Sequence, residues 1–240
     1  MYNRTDLHAR IVFPLANLPA DVLALFDLDQ TLLNGDCDEA WVEFLIERDV
    51  LDRPSFERAN RRVVDRYQRG EVGVLEFTEF YVSTLAPHAL PQLEIWRGEY
   101  LQRKIMPMIS TMARELVARH LSSGDVTVLT TAASRFLTDP IAREFGIENL
   151  IATEPEMHGD RFTGRVAGTP NMRDGKIARL EAWLAERNED LSVFRQSWFY
   201  SDSRNDIPLL SLVTHPVAVN ADPALAALAS ERRWPMLSVR

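Results

Sequence analysis

The chain has 240 residues, of which 46% are hydrophobic and 26% charged, and its formal net charge at pH 7 is −8. This composition is typical of a globular protein and excludes a disordered or fibrous chain. The acidic balance disfavours nucleic acid as a partner, because phosphate backbones are bound by clustered Lys and Arg.

The sequence also limits the compartment. A single cysteine, Cys37, excludes an internal disulfide. No stretch has the roughly 20 apolar residues that a membrane span needs, and the N-terminal region lacks the apolar segment of a signal peptide. We therefore expect a cytoplasmic protein with no membrane partner; the sequence does not indicate its oligomeric state.

The first clear element is an apolar run at residues 22–26, typical of a strand that is covered on both faces in a parallel sheet. Asp27 and Asp29 follow it, at the strand end where open α/β sheets bind ligands. Residues 36–106 then change to helical periodicity, which glycine and proline divide into about four helices. Met106-Pro107 is the expected return to the sheet, because proline disfavours a helical residue before it.

Strand and helix patterns alternate in the rest of the chain. The patterns predict helices at 109–120, 139–145, 177–186 and 207–212, strands at 126–131, 150–153, 197–201 and 217–220, and a small hairpin at 160–168. Such alternation predicts an α/β fold with a doubly wound, Rossmann-like parallel sheet and a helical cap inserted after the first strand. The predicted domains are a core of residues 1–35 and 107–240 and a cap of residues 36–106.

Four short motifs fall at the ends of predicted strands or at the start of a helix. They are Asp27-Leu28-Asp29-Gln30-Thr31, Thr130-Thr131, Gly175-Lys176 and Ser201-Asp202-Ser203-Arg204-Asn205-Asp206. As a set, they resemble the haloacid dehalogenase superfamily of phosphohydrolases. The likeness is closest to subfamily IB, with its C1-type cap, which includes phosphoserine phosphatases and histidinol-phosphate phosphatases.

The resemblance implies a role for each matched carboxylate. Asp27 matches the nucleophile that forms an aspartyl phosphate, and Asp29 matches the acid/base that protonates the leaving oxygen and then activates water. The family also implies Mg²⁺ as cofactor, bound by an Asp27 oxygen, the Asp29 backbone carbonyl and Asp202. Asp206 would stand behind these ligands or orient metal-bound water.

The same resemblance implies contacts with the substrate phosphate. Thr131 would donate its hydroxyl, and the backbone after it an N–H, to a phosphoryl oxygen. Thr130 is the alternative, although Phe136 lies at the family spacing from Thr131. Ser203 and Asn205 would lie on the phosphate side of the site.

Lys176 has additional support from composition. Lysine and arginine together number 27, yet Lys104 and Lys176 are the only two lysines. A compact ammonium can bridge a nucleophile and a phosphoryl oxygen in a pocket too narrow for a guanidinium. The alternative is a solvated lysine in the first turn of a helix, since Lys104 has no such reason to be lysine.

The cap residues do not identify a substrate. Asp36 matches a glutamate that contacts substrate in phosphoserine phosphatases and is one methylene shorter. Phosphoserine and histidinol phosphate therefore both stay candidates among small phosphomonoesters. Trp41, Trp96 and Tyr81 fit a cap core better than a substrate cage, and the arginines between 58 and 69 fit a solvated helix face.

We expect a phosphomonoesterase. Two other functions are compatible with the same motifs: phosphotransfer to a second substrate, as in mutases of this fold, and binding of a phosphorylated ligand by a regulator without turnover.

Overall fold

The apolar run after residue 21 forms the strand β1 (Val22–Phe26), and residues 23–26 are fully buried. In the computed structural model, which describes residues 21–240, β1 lies inside a six-stranded sheet of order β3-β2-β1-β6-β7-β8. Neighbouring strands are parallel throughout this sheet. The predicted α/β class with a doubly wound parallel sheet is confirmed. The predicted lack of a signal peptide and the first 20 residues of the predicted core lie outside the described residues.

The elements follow the predicted alternation. The strands of the main sheet after β1 are β2 (Val126–Ser134), β3 (Asn149–Thr153), β6 (Gln196–Ser201), β7 (His215–Val219) and β8 (Met236–Leu237). Between β3 and β6, a separate antiparallel hairpin consists of β4 (Pro155–His158) and β5 (Arg161–Val166). The helices are α1 (Cys37–Glu47), α2 (Arg53–Gln68), α3 (Val74–Val82), α4 (Leu90–Tyr100), α5 (Thr111–Ser123), α6 (Arg135–Glu144), α7 (Asp174–Ala185), α8 (Ile207–Leu210) and α9 (Pro223–Arg232).

Apolar side chains cover both faces of the sheet. The side chains of β1 alternate between two core clusters, because successive residues of a strand point to opposite faces. Ala24 and Phe26 pack into one cluster, and Leu23 and Leu25 into the other. Among residues 21–240, no helix combines the length and the apolar character that crossing a bilayer would require.

The helices α1 to α4 are inserted between β1 and β2, as the sequence pattern predicts. The expected break at Met106-Pro107 is wrong, because helical turns continue to Met108 and the backbone becomes extended only at Ile109. Pro107 lies in the first turn of a short 3₁₀ segment, where its missing N–H is not needed. The division into a core and a cap at residues 36 and 106 stays a prediction.

Three further boundaries differ from the prediction. Strand β2 extends three residues beyond Thr131, and α6 starts directly after it at Arg135, well before the expected residue 139. The first strand of the hairpin precedes Asp160. Helix α9 and strand β8 were not predicted.

Helix α6 contains Pro140 in its interior. A proline there leaves the carbonyl four residues earlier without its helical donor. That carbonyl belongs to Phe136, and it accepts a hydrogen bond of 3.0 Å from the guanidinium of Arg97 on α4. A side chain of the inserted helices therefore completes the hydrogen bonding of a sheet-covering helix.

The hairpin also packs on the inserted helices. Gly164 of β5 has φ +86°, and a Cβ at this position would lie 3.3 Å from the Cα of Ser83. The backbone N–H of Val166 donates to Glu79 of α3. These contacts hold α3 over the carboxyl ends of the strands, where the predicted motifs converge.

Candidate active site

The loop after β1 is a tight turn that places two carboxylates at the strand end. The N–H of Asp27 donates to the Tyr200 carbonyl at 2.9 Å and so continues the pairing of β1 with β6. The carbonyl of Leu28 then accepts the N–H groups of the three residues from 31 to 33. Gln30 has φ +56°, and its carbonyl accepts the side-chain amide of Asn220 at 2.9 Å.

Lys176 lies between two buried carboxylates. Its Nζ is 2.7 Å from Asp27 Oδ1 and 2.7 Å from Asp206 Oδ2. Burial alone would lower the pKa of this ammonium, but the charges of Asp206 and Asp27 outweigh burial and raise the pKa. Only 3% of Lys176 is exposed, which contradicts the alternative of a solvated lysine.

Gly175 lets the preceding loop approach this lysine. A Cβ at position 175 would overlap the Pro170 carbonyl oxygen, because the loop folds back onto the first turn of α7. Glycine is therefore required beside Lys176 for steric reasons.

Thr31 joins the first motif to the last one. Its Oγ1 lies 3.2 Å from Asp27 Oδ2 and 3.3 Å from Asp202 Oδ1, and it accepts the N–H of Asp202 at 3.0 Å. Burial and the carboxylates of Asp27 and Asp206 raise the pKa of Asp202 to about 8. Thr31 was not assigned a role from the sequence, although its place in the first motif was a sufficient indication.

The oxygens at this point form the donor set that Mg²⁺ prefers. Asp27 and Asp202 supply carboxylates, each with an oxygen within 3.3 Å of the Thr31 hydroxyl. Within residues 21–240, no three His, Cys, Asp or Glu side chains are arranged to hold a metal ion by themselves. Asp206 Oδ2 accepts hydrogen bonds from Lys176 and Ser201, which fits its expected place behind the metal ligands, and its role at the metal stays a prediction. Burial and the neighbouring carboxylates together raise the pKa of Asp202, and a divalent cation would offset this crowded negative charge, so these residues fit the metal.

Asp29 lies at the amino end of α1. Its Oδ1 accepts the Cys37 N–H at 2.7 Å, and its Oδ2 is 3.6 Å from the Cys37 thiol. Burial, followed by the charges of Asp36 and Asp38, raises the pKa of Asp29 well above its ordinary value. A raised pKa favours the protonated carboxyl group, which can donate its proton to a leaving oxygen.

The structure places the side chains of Thr130 and Thr131 differently from the prediction. Thr130 Oγ1 accepts a hydrogen bond from the Asn171 side chain, and Thr131 Oγ1 accepts one from the Ala133 N–H. Thr131 is fully buried and does not line the cavity, whereas Ala132 and Ala133 do. The structure brings the backbone after Thr131 to the site but not its hydroxyl.

A cavity of about 330 Å³ lies above these groups, between the sheet and the inserted helices. The predicted residues Asp27, Asp29, Asp36, Lys176, Asp202, Ser203, Asn205 and Asp206 all line it. Asp36 has a second role, because its Oδ1 accepts the Glu39 N–H and caps α1. The arginines between 58 and 69 do not contribute to the lining.

The inserted helices contribute residues that sequence reasoning missed. Asp38 and Glu39 from α1 and Phe77, Thr78 and Tyr81 from α3 line the cavity. Tyr81 is therefore not a core residue as expected, whereas Trp41 is buried in the core and Trp96 packs against it. The spacing of Phe77 and Tyr81 by four residues was the available indication, since it puts both on one helix face.

The charges of the cavity are strongly unequal. Seven acidic side chains line it, and Lys176 is the one basic side chain that does so within the described part of the chain. Burial and the neighbouring Asp36 and Glu39 raise the pKa of Asp38 to about 8. Burial also raises the pKa of Asp36. The half of the cavity next to α1 therefore favours a positively charged ligand.

Comparisons with known proteins all point to one family. The model of the haloacid dehalogenase-like hydrolases matches residues 24–211. A histidinol-phosphatase of Neisseria meningitidis is 42% identical over 219 residues, which cover 91% of this chain and 99% of that protein. The phosphoserine phosphatase SerB1 of Mycobacterium tuberculosis is 32% identical over 227 residues, covering 90% of this chain and 70% of that protein.

Solved structures agree on the fold. A Bordetella pertussis protein of unknown function has a TM-score of 0.88 at 42% identity, covering 92% of this chain and 100% of that one. A phosphoserine phosphatase solved as a phospho-aspartyl intermediate analogue has a TM-score of 0.62 at 18% identity. The match covers 91% of this chain and 93% of that one.

Proposed function

Because this chain belongs to the haloacid dehalogenase-like hydrolase family and is a phosphatase of that family, we propose that it hydrolyses histidinol phosphate. The charge of the cavity carries this proposal. Histidinol phosphate has an amino group and an imidazole beside its phosphate and has no carboxylate. Its positive groups would face Asp36, Asp38 and Glu39 at the start of α1.

Phosphoserine fits the same cavity less well. Its carboxylate would need a basic partner, but Lys176 is held by Asp27 and Asp206 within 2.7 Å of each. Opposite charges attract, and a like-charge contact in a half-buried site is unfavourable. The 42% identity with the histidinol-phosphatase of Neisseria meningitidis supports the same choice.

The chemistry follows from the side chains at the strand ends. A carboxylate oxygen of Asp27 attacks phosphorus, and the ester oxygen leaves with a proton from Asp29, which gives a phosphorylated Asp27 and free alcohol. Asp29, now ionised, removes a proton from water, and the water oxygen attacks phosphorus and releases phosphate and Asp27. The positive charge of Lys176 offsets charge on the phosphoryl oxygens in both steps.

Asp27, the Asp29 carbonyl and Asp202 would hold Mg²⁺. The cation would neutralise the phosphoryl oxygens and keep Asp27 ionised. Thr31 keeps the two carboxylates together, since its hydroxyl lies within 3.3 Å of both. Ser203 and Asn205 also line the cavity, and they would contact the phosphate.

The test compares phosphate release from histidinol phosphate, O-phosphoserine and p-nitrophenyl phosphate with Mg²⁺. We expect the highest kcat/KM with histidinol phosphate. Asp38→Asn should lower kcat/KM for histidinol phosphate at least about fivefold, with little change for p-nitrophenyl phosphate, because only the former has a cationic leaving group. The control is Asp65→Asn, which makes the same substitution at an exposed position of α2. Preference for phosphoserine would contradict the substrate, and phosphate release from none of the esters would contradict the function.

A further inference from the structure

Asn171 is a fully buried side chain that the proposed mechanism does not use. It lies in the loop before α7 and is 0% exposed. Its Nδ2 is 2.9 Å from the Thr131 carbonyl, 2.8 Å from the Ile151 carbonyl and 3.0 Å from Thr130 Oγ1. Its backbone N–H donates to Thr153 Oγ1 at 3.0 Å.

The Asn171 amide bridges β2 and β3. The Thr131 and Ile151 carbonyls that it contacts belong to these two neighbouring strands. The pairing of the strands shifts in register just after Thr131. The amide therefore supplies donors at the point where the pairing of the two strands changes register.

The orientation of one peptide follows from this contact. In a trans peptide, the carbonyl and the N–H point in opposite directions. The Thr131 carbonyl points towards β3, so the N–H of Ala132 in the same peptide points towards β1, which lies on the other side of β2. Asp27 directly follows β1, and Ala132 and Asp27 line the same cavity.

The side-chain oxygen of Asn171 makes this arrangement costly. Within the described residues, Oδ1 is buried and has no hydrogen-bond partner. An unsatisfied buried polar atom is unfavourable, and each such atom in a native protein calls for an explanation. The explanation here is that Asn171 holds the peptide between Thr131 and Ala132 in one orientation.

We propose that Asn171 is a positioning residue that aims the Ala132 N–H at the phosphoryl group bound beside Asp27. The proposal rests on the proposed phosphatase function. The donor itself is backbone, so Asn171 acts only through the peptide that it holds. Its effect should be equal for every phosphomonoester, because the phosphoryl group is common to all of them.

The test is Asn171→Ala, with orthovanadate as a mimic of the transferring phosphoryl group. We expect kcat for p-nitrophenyl phosphate and for histidinol phosphate to fall by the same factor, roughly tenfold to a hundredfold, because a misdirected donor loses part of its stabilisation. The inhibition constant of orthovanadate should rise in parallel, while the ratio of kcat/KM between the two esters stays unchanged.

Asn149→Ala is the matched control. The Asn149 amide donates to the Thr127 carbonyl at 3.0 Å, which is the same kind of contact with β2 at its opposite end. This variant should lose stability but keep orthovanadate inhibition within twofold of the unsubstituted protein. Asn171→Ser, measured in the same way, replaces Asn171→Ala if the latter does not fold.

Two results would overturn the inference: a folded Asn171 variant with kcat and orthovanadate inhibition within twofold of the unsubstituted protein, or equal losses in Asn149→Ala. Failure of the unsubstituted protein to release phosphate would instead contradict the proposed function. Orthovanadate binding, measured by calorimetry with Mg²⁺, would then still test Asn171.

Discussion

Replacing Lys176 with methionine removes a buried cation while keeping a side chain of similar length. The side chains of Lys176, Asp27 and Asp206 are only 4%, 9% and 3% exposed. Removing one partner of a buried ion pair leaves an uncompensated charge and costs about 3–5 kcal/mol. Here two carboxylates lose their partner at once. We therefore expect Lys176→Met to lose at least about 3 kcal/mol of unfolding free energy at pH 7.

The measurement is urea unfolding, followed by tryptophan fluorescence. The unfolding free energies of the variant and the unsubstituted protein are compared, provided that the slope of free energy against urea concentration is the same for both. Lys104→Met is the control, because Lys104 is the other lysine of the chain and pairs with the partly exposed Glu47. Such surface pairs contribute about 0–1 kcal/mol. The double variant Lys176→Met with Asp206→Asn should recover roughly 1–3 kcal/mol relative to the sum of the single changes, because it removes one of the two orphaned charges.

A loss below about 1 kcal/mol for Lys176→Met, with the slope unchanged, would refute this reasoning. It would mean that the two carboxylates tolerate burial without the ammonium. Strict additivity in the double variant would refute the pairing of Lys176 with Asp206. Activity provides an independent readout, and we expect kcat to fall by about 100-fold or more, as for loss of one preorganised charge donor.

Three further changes test the site. Asp27→Asn should abolish hydrolysis of p-nitrophenyl phosphate with circular dichroism unchanged; measurable turnover would exclude Asp27 as nucleophile. Removal of divalent cations with EDTA should abolish phosphate release, and excess Mg²⁺ should restore it; full activity in EDTA would contradict the metal site. Cys37 should not react with Ellman's reagent at pH 8 in the folded protein but should react fully in urea, because burial and Asp29 raise the pKa of its thiol; rapid reaction in the folded state would show that the contact with Asp29 is not maintained.

The sequence predicted the reactive residues at the strand ends better than the cavity-lining residues of the inserted helices. Asp27, Asp29 and Asp202 follow apolar strands directly, and the ends of parallel strands meet at one edge of the sheet, so short motifs fix their position. Asp38 and Tyr81 line the cavity because of how α1 and α3 lie over that edge. This orientation depends on contacts far apart in the chain, such as that of Gly164 with Ser83.

Two local features of the structure differ from what the sequence indicated, for different physical reasons. Helix α6 includes Pro140, since Arg97 supplies the donor that proline removes. The Thr131 hydroxyl turns to the Ala133 N–H, and the adjoining backbone lines the cavity instead. The first arrangement depends on a contact between α4 and α6, 39 positions apart in the chain, and does not follow from preferences within one segment. The second is a local contact between residues two positions apart, and a phosphate contact by the Thr131 hydroxyl stays a prediction.

The contact of Thr31 with Asp202 has a consequence for folding. The two residues are 171 positions apart, and they meet only after β1 has paired with β6. Contacts of such sequence separation form slowly, because a long loop must close first. During refolding, helical signal in circular dichroism should therefore return before phosphatase activity does. The enzyme's own turnover thus reports when the central strands have joined.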